Sequence, residues 1–362
     1  MKTMKIMPAG FLVGLFIIGI TWQAIDAQSD EYQKEYNKEY KVNNNTQLQI
    51  ENKFGNVDIV NWDKNLISIK AVVKVWAKNK EDGDKLLSYI NVNFSQEGDL
   101  VKAITDIDND INKKFGFNWN NKKMEINYTV NMPENIPLLL SVKYGNAFIN
   151  KITSTSAIDI KYGKLKANSI IHSSDKPLTS ITLGYSEGTI EECQWLKMDL
   201  KYSKIQITKS KALLVVSKYS KVYVDEGSSI VSESKYDTYK IGTLTNFVTV
   251  SGYSNFSFDE VSKKIEVETR YSDFKVQKVP ASFESISIDN QYGNYRIGID
   301  PDASYKIDGD AKYAHINFPD KGRVNKFNEN NEEKVSGTVG SNPNPKATVK
   351  ITTRYGGVNL EY

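Results

Sequence analysis

Residues 201–224, KYSKIQITKSKALLVVSKYSKVYV, contain one short motif twice, as Lys201-Tyr202-Ser203 and Lys218-Tyr219-Ser220. On both sides of this stretch, an aromatic residue followed by a small residue recurs along most of the chain. The aromatic positions are Phe54, Tyr144, Tyr162, Tyr185, Tyr202, Tyr219, Tyr236, Tyr253, Tyr271, Tyr292, Tyr313 and Tyr355. From Tyr144 to Tyr313 the successive spacings are 18, 23, 17, 17, 17, 17, 18, 21 and 21 residues. A fixed short period is the sequence signature of a repeat architecture.

The positions around each aromatic residue follow one pattern. The next residue is small or turn-forming in every copy, which predicts a bend or bulge where a bulky side chain would clash or the backbone needs unusual dihedral angles. The residue five positions later is apolar in every copy, and the residue three positions later is usually apolar. Apolar residues also stand two and four positions before it in several copies, as in Ile158-Asp159-Ile160-Lys161-Tyr162. Alternation on both sides of a small residue predicts two short strands with a corner between them.

A unit of about 17 residues cannot bury its apolar face alone, so the copies must stack. The predicted fold is an all-β β-solenoid with a ladder of tyrosines and with coils of about 17 to about 21 residues. Eleven or twelve coils at a strand spacing of about 4.8 Å make a rod of roughly 50 to 60 Å. The alternation on the strands predicts that the tyrosine ladder points into the core. A sandwich of hairpins also explains alternation, but it does not explain a fixed tyrosine register.

Three segments are expected. Residues 1–27 form a signal peptide, residues 28–143 form a strand-rich cap with the first coil, and residues 144–362 form the solenoid. The cap contains the good helix candidate, Lys80 to Ile90, and strands at 91–94, 101–104 and 124–130. The interval from Tyr313 to Tyr355 is twice the interval from Tyr292 to Tyr313, so a degenerate copy or an inserted hairpin is expected near residues 320–345.

The first segment predicts export. Lys2 and Lys5 precede an apolar run, Phe11 to Trp22, which is shorter than the roughly 20 residues of a membrane-spanning helix. Small residues ending at Ala27 predict cleavage there, with an uncleaved signal anchor as the alternative. Cleavage would leave no transmembrane span. An exported chain with a single cysteine and many Lys, Asn, Ile and Tyr residues fits the periplasm or surface of a Gram-negative bacterium.

Charge argues against nucleic acid as a partner. The chain has 47 basic and 44 acidic side chains, a net charge of +3, and nucleic-acid-binding domains are usually strongly basic. A basic column is nevertheless predicted immediately before the ladder, at Lys53, Lys143, Lys161, Lys201, Lys218, Lys235, Arg270, Lys312 and Arg354. Acids stand two residues further back, at Glu51, Asp159, Asp199, Glu233, Glu268, Asp289 and Asp310. The two columns share one face, so we expect them largely to neutralise each other, although a basic column could also grip an anionic polymer.

No catalytic, cofactor or metal site is predicted. His172 and His315 lack a patterned nucleophile, and Glu191 and Glu192 beside Cys193 would raise its pKa. Asp106, Asp108, Asp110 and Asn112 imitate a calcium loop, but Ile111 replaces the required glycine, so a solvated acidic loop is the alternative to a cation site. β-Helical polysaccharide lyases are the enzyme alternative; their coils are typically longer, and nothing here singles out their cluster of acids with a basic catalyst.

Several of these motifs resemble those of the bacterial putative-adhesin β-strand-repeat family, which is common in exported proteins of Bacteroidota. They are Phe54-Gly55-Asn56-Val57-Asp58-Ile59 with Trp62, the helix after paired strands, Val130-Asn131-Met132-Pro133 leading to Tyr144-Gly145, and the repeated Tyr-Gly or Tyr-Ser strands. The resemblance covers nearly the whole exported chain. It implies a solenoid architecture and surface binding, and no catalytic residues.

Two functions are therefore expected, both without catalysis and without a cofactor. The first is an adhesin-like envelope or surface protein that binds a cell-surface polysaccharide or a protein. The second is a periplasmic regulatory or scaffold protein that binds an envelope protein.

Overall fold

The computed structural model of the chain describes residues 29–109, 111, 124–172 and 178–362. The predicted signal peptide lies outside these ranges. The first described elements form one end of the molecule: β1 (Asp30–Lys41), β2 (Gln47–Lys53), β3 (Val57–Asn61), β4 (Leu66–Ala77), α1 (Lys80–Ser88), β5 (Ile90–Glu97), β6 (Leu100–Ile107) and β7 (Met124–Met132).

The repeats contribute the parallel strands of the solenoid. Their first part consists of β8 (Leu138–Lys143), β9 (Asn146–Ile152), β10 (Ala157–Lys161), β11 (Lys164–Ile170), β12 (Thr179–Gly184), β13 (Glu187–Lys201), β14 (Lys204–Lys218), β15 (Lys221–Lys235), β16 (Thr238–Gly252) and β17 (Asn255–Arg270). The remainder consists of β18 (Asp273–Val279), β19 (Ser285–Gln291), β20 (Tyr295–Ile299), β21 (Tyr305–Lys312), β22 (Ile316–Asn317), β23 (Gly322–Glu329), β24 (Glu332–Val339), β25 (Ala347–Arg354) and β26 (Val358–Glu361).

Successive coils pair in parallel and in register. Strands β13 to β16 each run from one aromatic corner to the next, and Lys204 of β14 lies opposite Lys221 of β15, its equivalent in the next repeat. The alternation of buried and exposed residues is interrupted near the middle of each long strand, which divides it into two arms, here called the two walls of the coil. Ile205 and Ile207 from one arm and Leu213 and Val215 from the other are buried between the walls. The predicted all-β solenoid with stacked coils is confirmed.

The apolar pattern predicted for the core is also confirmed. The residues five positions after the aromatic are buried in eleven of the twelve coils and partly buried in the coil that begins at Tyr313, where the residue is Phe318. They are Ile59, Ile149, Ala167, Ile190, Ile207, Val224, Ile241, Phe258, Val276, Ile297 and Leu360. Because each of these side chains is removed from water in a column of like side chains, the coils hold together by burial that none could achieve alone.

The prediction that the tyrosine ladder points into the core is wrong. The eleven tyrosines are 40–55% exposed, and they and Phe54 have φ angles of 51–61°, in the left-handed region. A left-handed residue interrupts the strand alternation. The residue before the aromatic and the aromatic itself therefore both point outward, and the small residue after it points inward. The unusual dihedral angle belongs to the aromatic residue and not to its small neighbour.

The small residue is needed because its side chain meets the neighbouring coil. A Cβ added at Gly145 would lie 1.8 Å from the carbonyl oxygen of Gly55, and one at Gly163 would lie 1.7 Å from that of Gly145. Where the column has serine, the hydroxyl joins the coils by hydrogen bonds. Ser203 Oγ donates to its own coil at Lys201 O (2.8 Å) and accepts from the backbone N–H of Ser186 in the preceding coil (3.1 Å).

The amino-terminal end is closed by antiparallel pairing. Strand β1 lies along β4, β4 lies along β7, and β5 and β6 form a hairpin whose second strand joins β2. Helix α1 corresponds to the predicted helix, and Asn79 caps it by accepting from the backbone N–H of Asp82 (2.9 Å). Tyr32 of β1 packs against Gly83 of the helix, where no larger residue fits. The antiparallel strands cover a sheet edge whose unpaired N–H and C=O groups could otherwise pair with another chain.

The order of coils at the other end differs from the order of the chain. Strand β25 lies between β19 and β21, and β26 lies between β20 and β22, all in parallel. The last coil is thus inserted between two coils that precede it in the sequence. The intervening residues form an antiparallel hairpin, β23 and β24, and β24 pairs with β21 at the outer edge.

Candidate functional site

The twelve aromatic side chains form one continuous stack on the outside of the molecule, here called the aromatic ladder. Its spatial order is Phe54, Tyr144, Tyr162, Tyr185, Tyr202, Tyr219, Tyr236, Tyr253, Tyr271, Tyr292, Tyr355 and Tyr313. Neighbouring ring centroids are 4.7–5.2 Å apart, and the planes lie within 20° of each other. Eleven such steps make a row of roughly 50 Å, since the rise per coil is about the strand spacing.

Stacking decides which part of each ring can meet a ligand. Parallel rings at these distances have the offset-stacked arrangement that aromatic pairs prefer. Every ring except the two at the ends is therefore contacted on both faces by other rings. Since the tyrosines are still about half exposed, the parts open to solvent are the ring edges and the hydroxyl groups. The ladder offers a row of regularly spaced hydrogen-bonding groups rather than a set of free aromatic faces.

The predicted basic column lies directly beside the ladder. Lys143, Lys218 and Lys235 place their ammonium groups 5.1–5.5 Å from the ring centroids of Tyr144, Tyr219 and Tyr236. Because stacking occupies both faces of Tyr144, Tyr219 and Tyr236, these ammonium groups lie at the edge of the ladder.

The acidic column neutralises the basic column in part of its length. Lys161 pairs with Asp159 (3.2 Å), and Lys201 pairs with Asp199 (3.5 Å). The acidic position is occupied by an apolar residue in two central coils, Val216 and Val250. The expected neutralisation is therefore incomplete near the middle of the solenoid.

A second set of lysines flanks the ladder on its other side, two positions after the aromatic residue. Lys204 follows Tyr202 and Lys221 follows Tyr219; both lysines are exposed, and they lie opposite each other in the parallel register. Lys218 and Lys235 occupy consecutive coils on the first side. Lys204 and Lys221 lie outside the predicted basic column, which holds only the residue before the aromatic; a count of charge at every repeat position shows them.

A surface groove of about 320 Å³ runs beside the same central coils. Its lining includes three lysines, two acids, two valines and a glycine: Lys201, Lys218, Lys235, Asp199, Glu233, Val216, Val250 and Gly252. Gly252 stands where the basic column would otherwise continue, so the groove has room at that end.

Exposed apolar side chains extend this face away from the ladder. Leu214, Val231 and Val248 lie opposite one another in three successive coils, and Val216 and Val250 stand closer to the tyrosines. Leu214, Val216, Val231 and Val250 are 42–54% exposed. We call these five residues the central apolar patch. Exposed apolar groups that adjoin one another are typical of interaction surfaces.

A second groove, of about 740 Å³, lies on the opposite side of the ladder near the inserted coil. Tyr355 and Tyr313 form one side of it, and Asn294, Arg296 and His315 contribute polar groups. Its volume is in the range of small-ligand sites, although its lining is more polar than most.

The other residues considered from the sequence lie apart from the ladder's centre. Cys193 is buried, and burial, with a smaller contribution from Glu192, raises the pKa of its thiol to about 12. His172 contacts the hydroxyl of Thr155 through Nε2 (3.0 Å). His315 lies on the 740 Å³ groove, with its Nδ1 3.1 Å from Glu333.

The acidic loop is described only in part. Asp106 and Asp108 are exposed, whereas Asp110 and Asn112 lie outside the described residues. Within the described ranges, no three His, Cys, Asp or Glu side chains come together in a group that would hold a metal ion. No helix in the same ranges has the length and apolar character needed to cross a membrane.

Comparison with known proteins yields structural resemblances only. No protein-family profile and no curated protein sequence matches the chain. A structure described as a putative cell adhesion protein from Clostridium sporogenes shows 12% identity and a TM-score of 0.18, with 91% of this chain and 99% of that one covered. One described as a putative adhesin from Parabacteroides distasonis shows 9% identity and a TM-score of 0.30, with coverage of 90% and 97%.

A third similar structure, also from Parabacteroides distasonis, is described as a putative lipid binding protein. It shows 11% identity and a TM-score of 0.24, covering 71% of this chain and 96% of its own. Identities and TM-scores this low assign no function to the chain.

Proposed function

We propose that this chain is a non-enzymatic binding protein of the bacterial envelope or surface, and that the aromatic ladder is its binding surface for an extended partner. The observation that carries the proposal is the ladder itself, a row of half-exposed rings on a rigid solenoid. Tyrosine supplies a large amphipathic contact area with few rotatable bonds, so little conformational entropy is lost on binding. Stacking against neighbouring rings restricts the tyrosine side chains further, already in the unbound protein.

The shape of the ladder favours a linear partner. All its groups lie along one line of roughly 50 Å and repeat at the strand spacing. A chain molecule running along the axis can contact many of them at once, and many weak contacts then add up to a useful affinity. We propose a cell-surface polysaccharide as this partner.

The experiment is binding of residues 28–362 to a glycan array and to solubilised envelope proteins in parallel. The test variant replaces Tyr202, Tyr219 and Tyr236 by Asn, a residue that tolerates the left-handed conformation. The control variant replaces Phe327 and Tyr362, which are 59% and 55% exposed but lie off the ladder. Saturable glycan binding that only the ladder variant loses supports the proposal. Binding that survives in the ladder variant would remove the ladder as the site.

A periplasmic scaffold is the second candidate function, and the central apolar patch favours it. Apolar side chains beside a polar ladder suit a protein partner better than a sugar chain, because burying them releases water from both surfaces. In this case, solubilised envelope proteins bind while the glycan array stays silent. Replacing Val216 and Val250 by Thr would weaken that binding.

The export prediction belongs to the same proposal. Protease treatment of intact cells distinguishes the surface from the periplasm. An adhesin is cleaved on intact cells, whereas a periplasmic scaffold is protected until the outer membrane is opened.

A further inference from the structure

The middle of the ladder carries a concentration of positive charge that the neighbouring carboxylates of Asp199 and Glu233 balance only in part. Lys201, Lys218 and Lys235 stand directly opposite one another in consecutive parallel strands, and Lys204 stands between Glu187 and Lys221. Like charges at directly opposed positions of a sheet destabilise it. Nothing in the packing of the core requires lysine at these exposed positions, since their side chains lie outside both walls.

Four of these lysines have no carboxylate partner in the part of the chain that the structure describes. Lys201 pairs with Asp199, but no ion pair involves Lys204, Lys218, Lys221 or Lys235. Their recorded contacts are with aromatic rings: Lys204 with Tyr223, Lys218 with Tyr219 and Lys235 with Tyr236. Contacts with rings do not neutralise the lysine ammonium groups, so these groups can still pair with an anionic ligand.

The two sets of lysines lie before and after the ladder position. Lys218 precedes Tyr219 and Lys221 follows it by two positions, and the same arrangement occurs at Tyr202 with Lys201 and Lys204. A ligand lying on the ladder would meet cations on both sides and hydrogen-bonding hydroxyl groups between them. The groove of about 320 Å³ runs alongside, and Lys201, Lys218 and Lys235 outnumber the two acids in its lining, Asp199 and Glu233.

Ring stacking excludes one important class of polyanion. Single-stranded nucleic acids bind non-specifically by stacking their bases on free aromatic faces. Here the faces of Tyr202, Tyr219 and Tyr236 are already in contact with neighbouring rings. The exposed edges and hydroxyl groups instead suit a ligand that combines many hydroxyl groups with regularly placed negative charges.

We infer that the central ladder binds a linear anionic polysaccharide, with its acidic groups on Lys204, Lys218, Lys221 and Lys235 and its sugar hydroxyl groups on Tyr202, Tyr219 and Tyr236. This inference rests on the proposed function and names the class of its ligand. Carboxylate and sulfate groups offer the same chemistry to lysine, so the experiment includes both.

The test measures dissociation constants of residues 28–362 for polygalacturonate, dextran sulfate, neutral dextran, single-stranded oligothymidine and polyglutamate. The main variant replaces Lys204, Lys218, Lys221 and Lys235 by Gln. A control of equal charge replaces Lys306, Lys334, Lys346 and Lys350, which are exposed and lie away from the central ladder. A third variant changes Tyr202, Tyr219 and Tyr236 to Phe, which keeps the rings and removes only the hydroxyl groups.

We expect at least one acidic polysaccharide to bind. Comparison of polygalacturonate with dextran sulfate shows whether carboxylate or sulfate is preferred. The lysine variant should weaken this binding about tenfold or more, and the control by less than about threefold, because contacts at the site and not net charge carry the affinity. The Phe variant should also weaken it, by about fivefold, without reducing its salt dependence. Binding of the wild type should fall as salt rises from about 50 to about 200 mM, since charged contacts are screened.

The other outcomes overturn the inference. If oligothymidine or polyglutamate binds as tightly as the acidic polysaccharides, the site binds polyanions in general and does not select polysaccharides. Binding of neutral dextran alone would contradict the anionic ligand while leaving the proposed function intact. If neither any glycan nor any envelope protein binds in this test and in the array, the proposed function fails together with the inference.

Discussion

The ring of Tyr292 stacks on the ring of Tyr355, which is distant from it in the chain, with centroids 4.9 Å apart and planes 6° apart. Tyr313, which follows Tyr292 by one repeat, stacks on the far side of Tyr355 at 5.1 Å. The ladder is thus complete only when the last coil has entered between two coils synthesised before it. Closing this non-local contact is the entropically expensive step of assembling this end.

Gly356, next to Tyr355, is predicted to be essential for this insertion. A Cβ at Gly356 would lie 2.0 Å from the carbonyl oxygen of Gly293, so Gly356→Ala should destabilise the protein by about 3 kcal/mol. Gly357→Ala is the matched control, because the nearest atom to its added Cβ is His315 O at 3.9 Å. Its effect should stay within about 1 kcal/mol. Urea unfolding measures both, and equal losses would contradict the tight fit at Gly356.

The sequence predicts much of this fold because its strongest signals are local and repeated. The period, the parallel stacking and the buried position of Ile207 and its equivalents all follow from residues within one coil. The insertion of the last coil does not, because the doubled interval between Tyr313 and Tyr355 allows either a missing copy or a hairpin. Only the pairing of β25 with both β19 and β21 decides which strands become neighbours.

The direction of the tyrosines was mispredicted for a physical reason. Leu200 and Ile205 are both buried although an odd number of positions separates them, so one residue between them must break the alternation. Local preferences place left-handed residues at Gly or Asn and not at Tyr. At Tyr202 the ring stack and the serine hydrogen bonds on either side outweigh that preference. The sequence therefore predicts the residues of the ladder as structural repeat positions but places their rings on the wrong side of the wall.

The exposed position of the ladder predicts a modest effect for Tyr219→Ala. Tyr219 is 42% exposed, so the loss should come mainly from its two ring contacts and amount to about 1–2 kcal/mol. Tyr239 is fully buried, and its hydroxyl lies 2.7 Å from Ser217 Oγ. Tyr239→Ala should therefore destabilise by about 3–5 kcal/mol. Urea unfolding of the two variants side by side tests the difference. Similar losses of unfolding free energy would contradict the exposed position of the ladder and indicate that it lies in the core.

Asp237 is the one acid in the inward column of small residues, and it predicts a pH effect. Its carboxylate accepts from the backbone N–H groups of Ser220 (2.6 Å) and Lys235 (2.9 Å) and from Ser217 Oγ (2.7 Å). Burial nevertheless raises the pKa of Asp237, because desolvation outweighs these hydrogen bonds. Its contribution to stability is therefore present below its unfolded-state pKa and is lost as pH rises through the folded-state pKa.

Asp237→Ser should restore the hydrogen-bond pattern of the neighbouring serines. It should also remove the loss of stability that the wild type suffers as pH rises. At pH 7 we expect the variant to be more stable than the wild type by about 1 kcal/mol, the scale of one hydrogen bond. The advantage should shrink as pH falls toward about 4, near the ordinary pKa of aspartate. Unfolding midpoints across this range test the sign, and an advantage that grows on acidification would refute it.

Glu333 predicts the opposite pH dependence at the end hairpin. Its side chain is 5% exposed, and it accepts from the backbone N–H of Ile316 (2.9 Å) and pairs with Lys326 (3.0 Å) and His315 (3.1 Å). Desolvation by burial acts to raise the pKa of Glu333, but these hydrogen bonds and the Lys326 charge outweigh it and hold the pKa below its ordinary value. The stability that Glu333 contributes is therefore present above its unfolded-state pKa of about 4.3 and is lost as pH falls through the lower folded-state pKa.

Glu333→Gln should destabilise the protein by about 2 kcal/mol at pH 7, because hydrogen bonds to a charged group are lost where β24 holds β22. The difference between variant and wild type should narrow below about pH 4, when the wild-type carboxylate is protonated as well. Glu332→Gln is the control: Glu332 pairs with Lys312 in solvent, and its loss should have little effect. Thermal unfolding from pH 3 to 7 measures the three proteins together. A gap between Glu333→Gln and wild type that stays constant over this range would show that burial of the side chain, and not its charge, stabilises the hairpin.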